Sequence, residues 1–454
     1  MKNEKIKELM YFYCPWWVSN KVSDNLSLDF KRHIIKTFFR YLTLNRILII
    51  KGPRRTGKTT IIYQMIDILI HKNIPPKNIL YLSFDDPELR INLNEILSAY
   101  EEILGSTLAQ AKQLYFFLDE VQFMENWQFT IKKYFDRKYP IKFIISGSSA
   151  SLVHKDTESL AGRTIEHIIL PFNFTEYIDY TLKDEKIRDI ITEFKKTFSF
   201  FKLPDITRLI PYQRNIFIAF NHYISWGGFP HIFEITDEIL KYKLLREDVI
   251  EKIIYRDLVE LFGIKKPFVL EKLFLYLAEH SSEILNISNI SNTLQLSREY
   301  IEKYIDYLKQ AYIIKTIKKY SSSVEKMLRS NVKCFLIDNG LIKISGSEVP
   351  IGKLVETIIS GHLSNREIFY WRDKEEVDFI IKEGNNIIPI EIKYKNHIEK
   401  KDIMGLFKFT EQYQLKSAIV ISKDILEQKK INGLTVLFIP AWLFVLSVDD
   451  ITYI

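Results

Sequence analysis

The run Gly52-Pro53-Arg54-Arg55-Thr56-Gly57-Lys58-Thr59-Thr60 has the residue types and spacing of a phosphate cradle. Glycines at both ends let the backbone curl so that successive N–H groups converge on phosphate oxygens. Lys58 supplies a point charge toward the β and γ phosphates, and the Thr59 hydroxyl is suited to a Mg²⁺ ion. Four apolar residues, Ile47 to Ile50, lead into the loop, and apolar residues at helical spacing follow it. A strand, a glycine loop and a helix whose positive end faces the anion are therefore expected, with ATP and Mg²⁺ as the ligands.

About 60 residues beyond Thr59, the apolar run Leu114 to Leu118 ends in Asp119-Glu120. At the carboxyl edge of a sheet such a pair has two jobs. Asp119 holds the Mg²⁺ shell through water, and Glu120 orients and deprotonates the attacking water. The next strand ends in Ser146-Gly147-Ser148-Ser149, where the Ser148 hydroxyl could sense the γ-phosphate; a plain turn satisfies the same letters. Arg163, just before an edge strand, could reach into a neighbour's site or be an ordinary surface arginine.

A second chemical centre lies near the C-terminus. Asp378 sits on one alternating strand, and Glu391 and Lys393 share one face of the next, across a turn at Gly384. The two carboxylates with the Ile392 carbonyl could ligate Mg²⁺, or Mn²⁺, while Lys393 steadies the attacking hydroxide. Glu356, on the preceding helix, offers one more carboxylate. A solvated face on a two-stranded ribbon is the plain alternative.

These groups need elements to hold them. Apolar strands at Ile79–Phe84, Leu114–Leu118, Lys142–Ile145 and Ile165–Leu170 alternate with amphipathic stretches, which predicts a parallel sheet covered on both faces. A mostly helical segment follows from Pro171 to about Phe262, broken at Gly227-Gly228-Phe229-Pro230, and is expected to be a lid. After Pro267 come helix, short helix, turn, helix and strand, the outline of a winged helix. Its wing, Lys309 to Lys333, holds seven basic residues (Lys309, Lys315, Lys318, Lys319, Lys326, Arg329, Lys333) against Glu325 alone. Backbone phosphates of DNA are the expected partner, because the presumed recognition helix Ser297–Gln310 is mixed in charge. The division expected is 1–170 (nucleotide domain with an N-terminal lead), 171–262 (helical lid), 263–345 (winged helix) and 346–454 (a further α/β domain).

Composition agrees with several packed domains: 47% of the 454 residues are hydrophobic and 14% aromatic, which excludes a disordered chain. Cys14 and Cys334 are too few and too far apart in sequence for a disulfide framework or a zinc cluster. The 15-residue apolar stretch Leu434–Val448 is short for a membrane span and contains Pro440, so a strand followed by a short helix is expected there. No signal peptide is seen, and a cytoplasmic setting with no membrane is the expectation. A net charge of +7 permits nucleic acid as a partner without requiring it.

Taken together, Pro15-Trp16-Trp17, the phosphate loop, Ser83 to Pro87, Phe117 to Gln122, Ser146 to Ala150 and Leu160 to Arg163 resemble the AAA-type ATPases of archaea and bacteria that carry a C-terminal, DUF4143-like domain of initially unknown function. The resemblance runs over nearly the whole chain. It implies a sheet in which one strand separates the acid-bearing strand from the phosphate-loop strand, with Glu120 as catalytic base. It also implies Arg163 acting in trans within a homo-oligomer such as a ring, and Pro230 lying near the adenine. The order Glu356, Asp378, hairpin, Glu391-x-Lys393 resembles the restriction-endonuclease-like nucleases of the PD-(D/E)xK type. The function so expected is a Mg²⁺-dependent ATPase acting on DNA, with a nuclease-like C-terminal domain. The rival expectation is a slow nucleotide switch that binds a protein partner, its nuclease fold inactive.

Overall fold

The structure, a computed structural model, describes residues 2–148 and 158–448. Ser149 and Ala150 of the expected sensor turn lie outside the described residues. The chain falls into two compact units. One is built from the stretch ending at Leu170 together with Tyr255–Ile264, the other from Pro171–Ile254 and the residues from Lys265 onward.

Among the described residues, the first unit has a five-stranded sheet made of β1 (Ile47–Lys51), β2 (Ile79–Ser83), β3 (Leu114–Asp119), β4 (Ile141–Ser146) and β5 (Thr164–Ile168). The order is β2-β3-β4-β1-β5, and every pairing is parallel. The near-continuous Ile, Leu and Phe of β1 to β4 follow from burial on both faces. Helices Lys58–His71, Leu93–Leu104 and Trp127–Asp136 send Ile62, Met65, Ile96, Tyr100 and Ile131 into the same core. With β4 between β1 and β3, the phosphate loop and the acidic pair leave the sheet at the same edge.

The N-terminal lead has a specific task at the opposite side of this sheet. Strand β2 is an edge, and an edge exposes unpaired N–H and C=O groups. Both indoles of Trp16 and Trp17 donate to the Ile79 carbonyl, at 3.1 and 2.9 Å. Cys14 Sγ donates to the Tyr81 carbonyl at 3.3 Å and accepts from the Tyr81 N–H at 3.2 Å. Side chains thus satisfy the groups that a sixth strand would otherwise take, and the buried Cys14 thiol is pushed well above its ordinary pKa by desolvation.

The second unit contains a nine-stranded mixed sheet. Its strands are β6 (Glu283–Ile284), β7 (Ile314–Lys319), β8 (Lys333–Leu336), β9 (Glu367–Arg372), β10 (Glu376–Glu383), β11 (Asn386–Ile392), β12 (Ser417–Ser422), β13 (Glu427–Ile431) and β14 (Leu434–Pro440). The order is β13-β14-β12-β11-β10-β9-β7-β8-β6. Helices Pro267–Glu279, Ile287–Leu294 and Arg298–Gln310 with β6, β7 and β8 have winged-helix topology. The wing carries a six-residue helix, Val324–Arg329, capped by the Ser323 side chain. Strand β7 also pairs in parallel with β9, Lys318 opposite Phe369, so one sheet runs from the wing into the C-terminal domain.

Helices Phe174–Leu182, Glu185–Thr197 and Gln213–Trp226 share a core with helix Ile351–His362 and with β10 to β12. Helix Ala441–Val448, buried along its length, follows β14 as the proline at 440 suggested. No helix of the described residues is long and apolar enough to cross a membrane.

The glycine pair at 227–228 belongs to this packing. A Cβ on Gly228 would lie 2.0 Å from the Phe172 carbonyl oxygen, and one on Gly227 would lie 1.9 Å from Asp338 Oδ1. The Gly228 N–H donates to Asp338 Oδ2 at 2.7 Å. Gly228→Ala should therefore destabilise the protein by about 3 kcal/mol, because the obstructing atom is backbone. Gly352→Ala, in a helix with open space around it, should stabilise it by up to about 1 kcal/mol. Urea unfolding of the two variants beside the parent measures both; equal midpoints would contradict the packing.

Candidate functional site

Strand β1 is fully buried and delivers the loop 52–57 to helix Lys58–His71. Gly52 takes φ 142° and a Cβ there would meet the Ile169 carbonyl oxygen at 2.1 Å, so only glycine fits. Gly57, at φ 92°, caps the helix from open space, and Arg55 adopts φ 63°. Thr60 occupies the helix's first turn. The loop is braced from within and without. Thr56 Oγ1 donates to the Pro53 carbonyl at 3.0 Å, and Arg32 donates to the Thr56 and Leu170 carbonyls at 3.1 and 2.8 Å.

Lys58 is buried and its Nζ donates to the Gly52 and Pro53 carbonyls at 2.8 and 2.9 Å. Desolvation lowers its pKa, and the nearby Glu120 and Asp119 charges oppose that. Across the sheet edge, Thr59 Oγ1 donates to Asp119 Oδ2 at 2.7 Å. The same oxygen accepts from Tyr81 at 3.2 Å, and Ser146 Oγ donates to Asp119 Oδ1. Burial raises the Asp119 pKa, Glu120 adds to this, and the Ser146 and Thr59 hydrogen bonds work the other way.

Glu120 leaves β3 in a left-handed conformation, φ 52°, rare for a non-glycine residue. Gln122 donates to its carboxylate and lies 3.4 Å from Ser148 Oγ. Lys58, Thr59, Asp119, Glu120 and Ser148 are thus brought together, with Ser146 and Gln122 as links that sequence reading did not select. A glutamine two residues after the acid was visible in the letters, but nothing in them marked its direction.

The expected cofactor residue Arg54 has a different immediate partner. Its guanidinium makes a two-pronged ion pair with Asp257, Nε to Oδ2 at 2.8 Å and Nη2 to Oδ1 at 2.7 Å. Arg256 pairs with Asp85 at 2.5 Å and stacks on the Phe123 ring. Residues 255–264 thereby join the nucleotide unit, although sequence order alone places 255–262 in the lid and 263–264 in the winged helix. Arg163 is likewise engaged within its own chain, Nε to Asp136 Oδ1 at 2.7 Å. Pro230 begins a short 3-10 turn in the second unit, behind the glycine pair.

The C-terminal carboxylates also converge, around an unexpected group. Register Phe379 to Ile390 sets Asp378 beside Glu391, and the Ile392 N–H donates to Asp378 Oδ2 at 2.8 Å. The β9–β10 register shifts between Val377 and Ile380, the stretch that contains the buried Asp378. Lys393 Nζ donates to Glu391 Oε1 at 2.5 Å. Lys333 Nζ, from β8, donates to Glu376 at 2.8 Å, Glu356 at 2.9 Å and Asp378 at 3.3 Å.

Lys333 is 1% exposed and therefore does not belong to the DNA-facing wing expected from its charge. Lys315 also turns inward, donating to the Ser360 carbonyl, and burial lowers its pKa to about 8. Burial opposes the Lys333 ammonium, but Glu356, Asp378 and Glu376 outweigh it and hold the group protonated. Glu356 is pushed up to about 7, and Glu391 well above its ordinary value, first by burial and then by Asp378. No three His, Cys, Asp or Glu among the described residues are arranged to hold a metal ion. With an ammonium bonded to three of the carboxylates, this centre does not fit a divalent cation. A lone lysine inside the apolar run Val332 to Leu336 was the signal in the sequence.

Comparison with known proteins matches residues 44–178 to the family model of an AAA domain, 218–345 to a domain of unknown function (DUF8612) and 351–442 to a domain of unknown function (DUF4143). An uncharacterized protein of Haemophilus influenzae is 26% identical over 91% of this chain and 98% of its own. The uncharacterized protein MJ1544 of Methanocaldococcus jannaschii is 29% identical over 84% and 82%. The ORC2 protein of Aeropyrum pernix, solved with ADPNP and ADP, covers 80% of this chain and 94% of its own at 12% identity; its TM-score of 0.35 is too low to bear on function. A P-loop AAA domain on a parallel sheet is thus followed by a DUF4143 domain on a mixed sheet, the pairing of families that the motifs resembled.

Proposed function

We propose that the chain is a Mg²⁺-dependent ATPase that acts on DNA. The observation that carries the first half is the meeting of the phosphate loop and the acidic pair at one sheet edge, fixed by the Thr59–Asp119 hydrogen bond. The donor set fits the cation: Thr59 supplies a hydroxyl and Asp119 a carboxylate that can hold Mg²⁺ directly or through water. Mg²⁺, when bound, would neutralise charge on the β and γ phosphates. The loop amides from Gly52 to Thr60 receive phosphate oxygens, and Lys58 exchanges its two carbonyl partners for them. Glu120, oriented by Gln122, takes the proton of the attacking water, and Ser148, 3.4 Å from Gln122, would report on the γ-phosphate.

In this reading the expected lid, less the residues from 255 that join the nucleotide unit, is 171–254, followed by a winged helix from 265 to 345 and a nuclease-like module over 346–454. Pro230 contributes near the adenine. Arg163 leaves Asp136 to complete a neighbouring subunit's site in a homo-oligomer of the cytoplasm. Support for DNA comes from the winged-helix topology and from Lys318, Lys326 and Arg329, which remain exposed. Strand cutting by Asp378, Glu391 and Lys393 would need a metal that this centre does not fit, so it is not part of the proposal. Lys333 favours a second reading, in which nucleotide turnover controls binding and the nuclease-like centre never cuts.

Lys58→Ala should weaken ATP binding roughly 10- to 100-fold, the cost of a lost charge-assisted hydrogen bond. Glu120→Gln should retain ATP and lower turnover by roughly 10²- to 10⁴-fold. Nucleotide titration and steady-state hydrolysis separate the two, and equal loss of binding in both variants would refute these roles.

Replacing Lys318, Lys326 and Arg329 together by glutamine should weaken binding to unrelated duplexes alike. The slope of log affinity against log salt should become shallower by about 1 for each phosphate contact removed. Fluorescence anisotropy over a salt series measures this, and an unchanged slope would remove the wing from the DNA site.

A further inference from the structure

The group bonded to three carboxylates of the C-terminal centre is supplied by the chain itself. We infer that Lys333 is the resident cation of this centre, and that it excludes a divalent metal from the oxygens of Glu356, Glu376 and Asp378. An ammonium has three donors, and here each finds a carboxylate oxygen, at 2.9, 2.8 and 3.3 Å. The Lys333 side chain is 2% exposed, and the Phe335 and Phe379 rings lie 5.8 and 5.9 Å from its Nζ. Its backbone is pinned on both sides, opposite Ile317 of β7 and opposite Ile284 of β6. A lysine on a mobile loop could swing away to admit a metal; one at the start of the central strand of three, paired on both sides, is held at the site.

The bonds also cross elements distant in sequence. Glu356 comes from helix Ile351–His362, Glu376 and Asp378 from β10, and Lys333 from the wing strand β8. One ammonium therefore does the tying that a metal does elsewhere, joining winged helix and C-terminal domain through charge-assisted bonds. Mg²⁺ requires oxygens at about 2.0 to 2.1 Å in near-octahedral array, and those oxygens are committed to nitrogen. Glu391 Oε2 is buried without a hydrogen-bond partner, and stands ready as a further ligand only once the ammonium is gone.

Mn²⁺ binding to the full chain, followed by electron paramagnetic resonance of the free ion without nucleotide, tests the inference. Asp119→Asn is the background, so that the phosphate-loop site contributes nothing and the ATPase reading is not at stake. This protein should bind no Mn²⁺ tightly. Adding Lys333→Ala should create about one site per chain, and adding Asp378→Ala should abolish it. One Mn²⁺ bound per chain with Lys333 intact, and lost with Asp378→Ala, would show that the lysine yields to metal and would overturn the inference, whether or not the lysine variant folds. A folded Lys333→Ala or Lys333→Gln protein that binds none would overturn it as well.

Discussion

The hydrogen bond between Thr59 and Asp119, 2.7 Å long, is the contact on which the nucleotide unit depends. It joins the first turn of the helix after the phosphate loop to the end of β3, two strands away across β4. For the two groups to meet, β1 and β3 must end at the same height, which the parallel registers Leu48 to Ile144 and Phe117 to Ile144 enforce. The close approach of Gly52 to Ile169 then fixes the loop against the strand-end of β5. Sheet order, glycine position and acid position are parts of one geometric requirement: a hydroxyl and a carboxylate within hydrogen-bond reach of each other.

Much of this was legible because it is local. A loop with glycines at fixed spacing and an acidic pair ending an apolar strand need only their own letters to be read, and buried parallel strands announce themselves as unbroken apolar runs. The partners of charged side chains were less legible. Nothing in the sequence near Arg54 points to Asp257, and nothing near Glu356 points to Lys333, because each bond spans chain that the fold alone brings close. Charge counting also misled in the wing. Lys315 and Lys333 look like solvated bases beside Lys318 and Lys326, yet strand alternation turns them inward, one to a backbone carbonyl and the other to three carboxylates.

The two centres illustrate opposite solutions to burying acid. At Asp119 the charge is met by hydroxyls of Thr59, Ser146 and Tyr81, neutral donors that leave negative potential available to a cation. At Glu356, Glu376 and Asp378 a full positive charge is built in, and that potential is spent. Removing one partner from a buried ionic cluster typically costs about 3 to 5 kcal/mol, so Lys333 is as much a structural residue as a chemical one. Strand β7 pairs with β9 on one side and lies opposite Lys333 of β8 on the other, which ties the architecture of the second unit to the character of its centre.

The central claim is that nucleotide turnover in this chain is coupled to DNA. Steady-state ATP hydrolysis measured with and without duplex, single-stranded and branched DNA tests it most directly. The account predicts Mg²⁺-dependent hydrolysis that at least one DNA form stimulates strongly. A slow rate, indifferent to every form of DNA, would contradict it and leave a nucleotide switch directed at a protein partner.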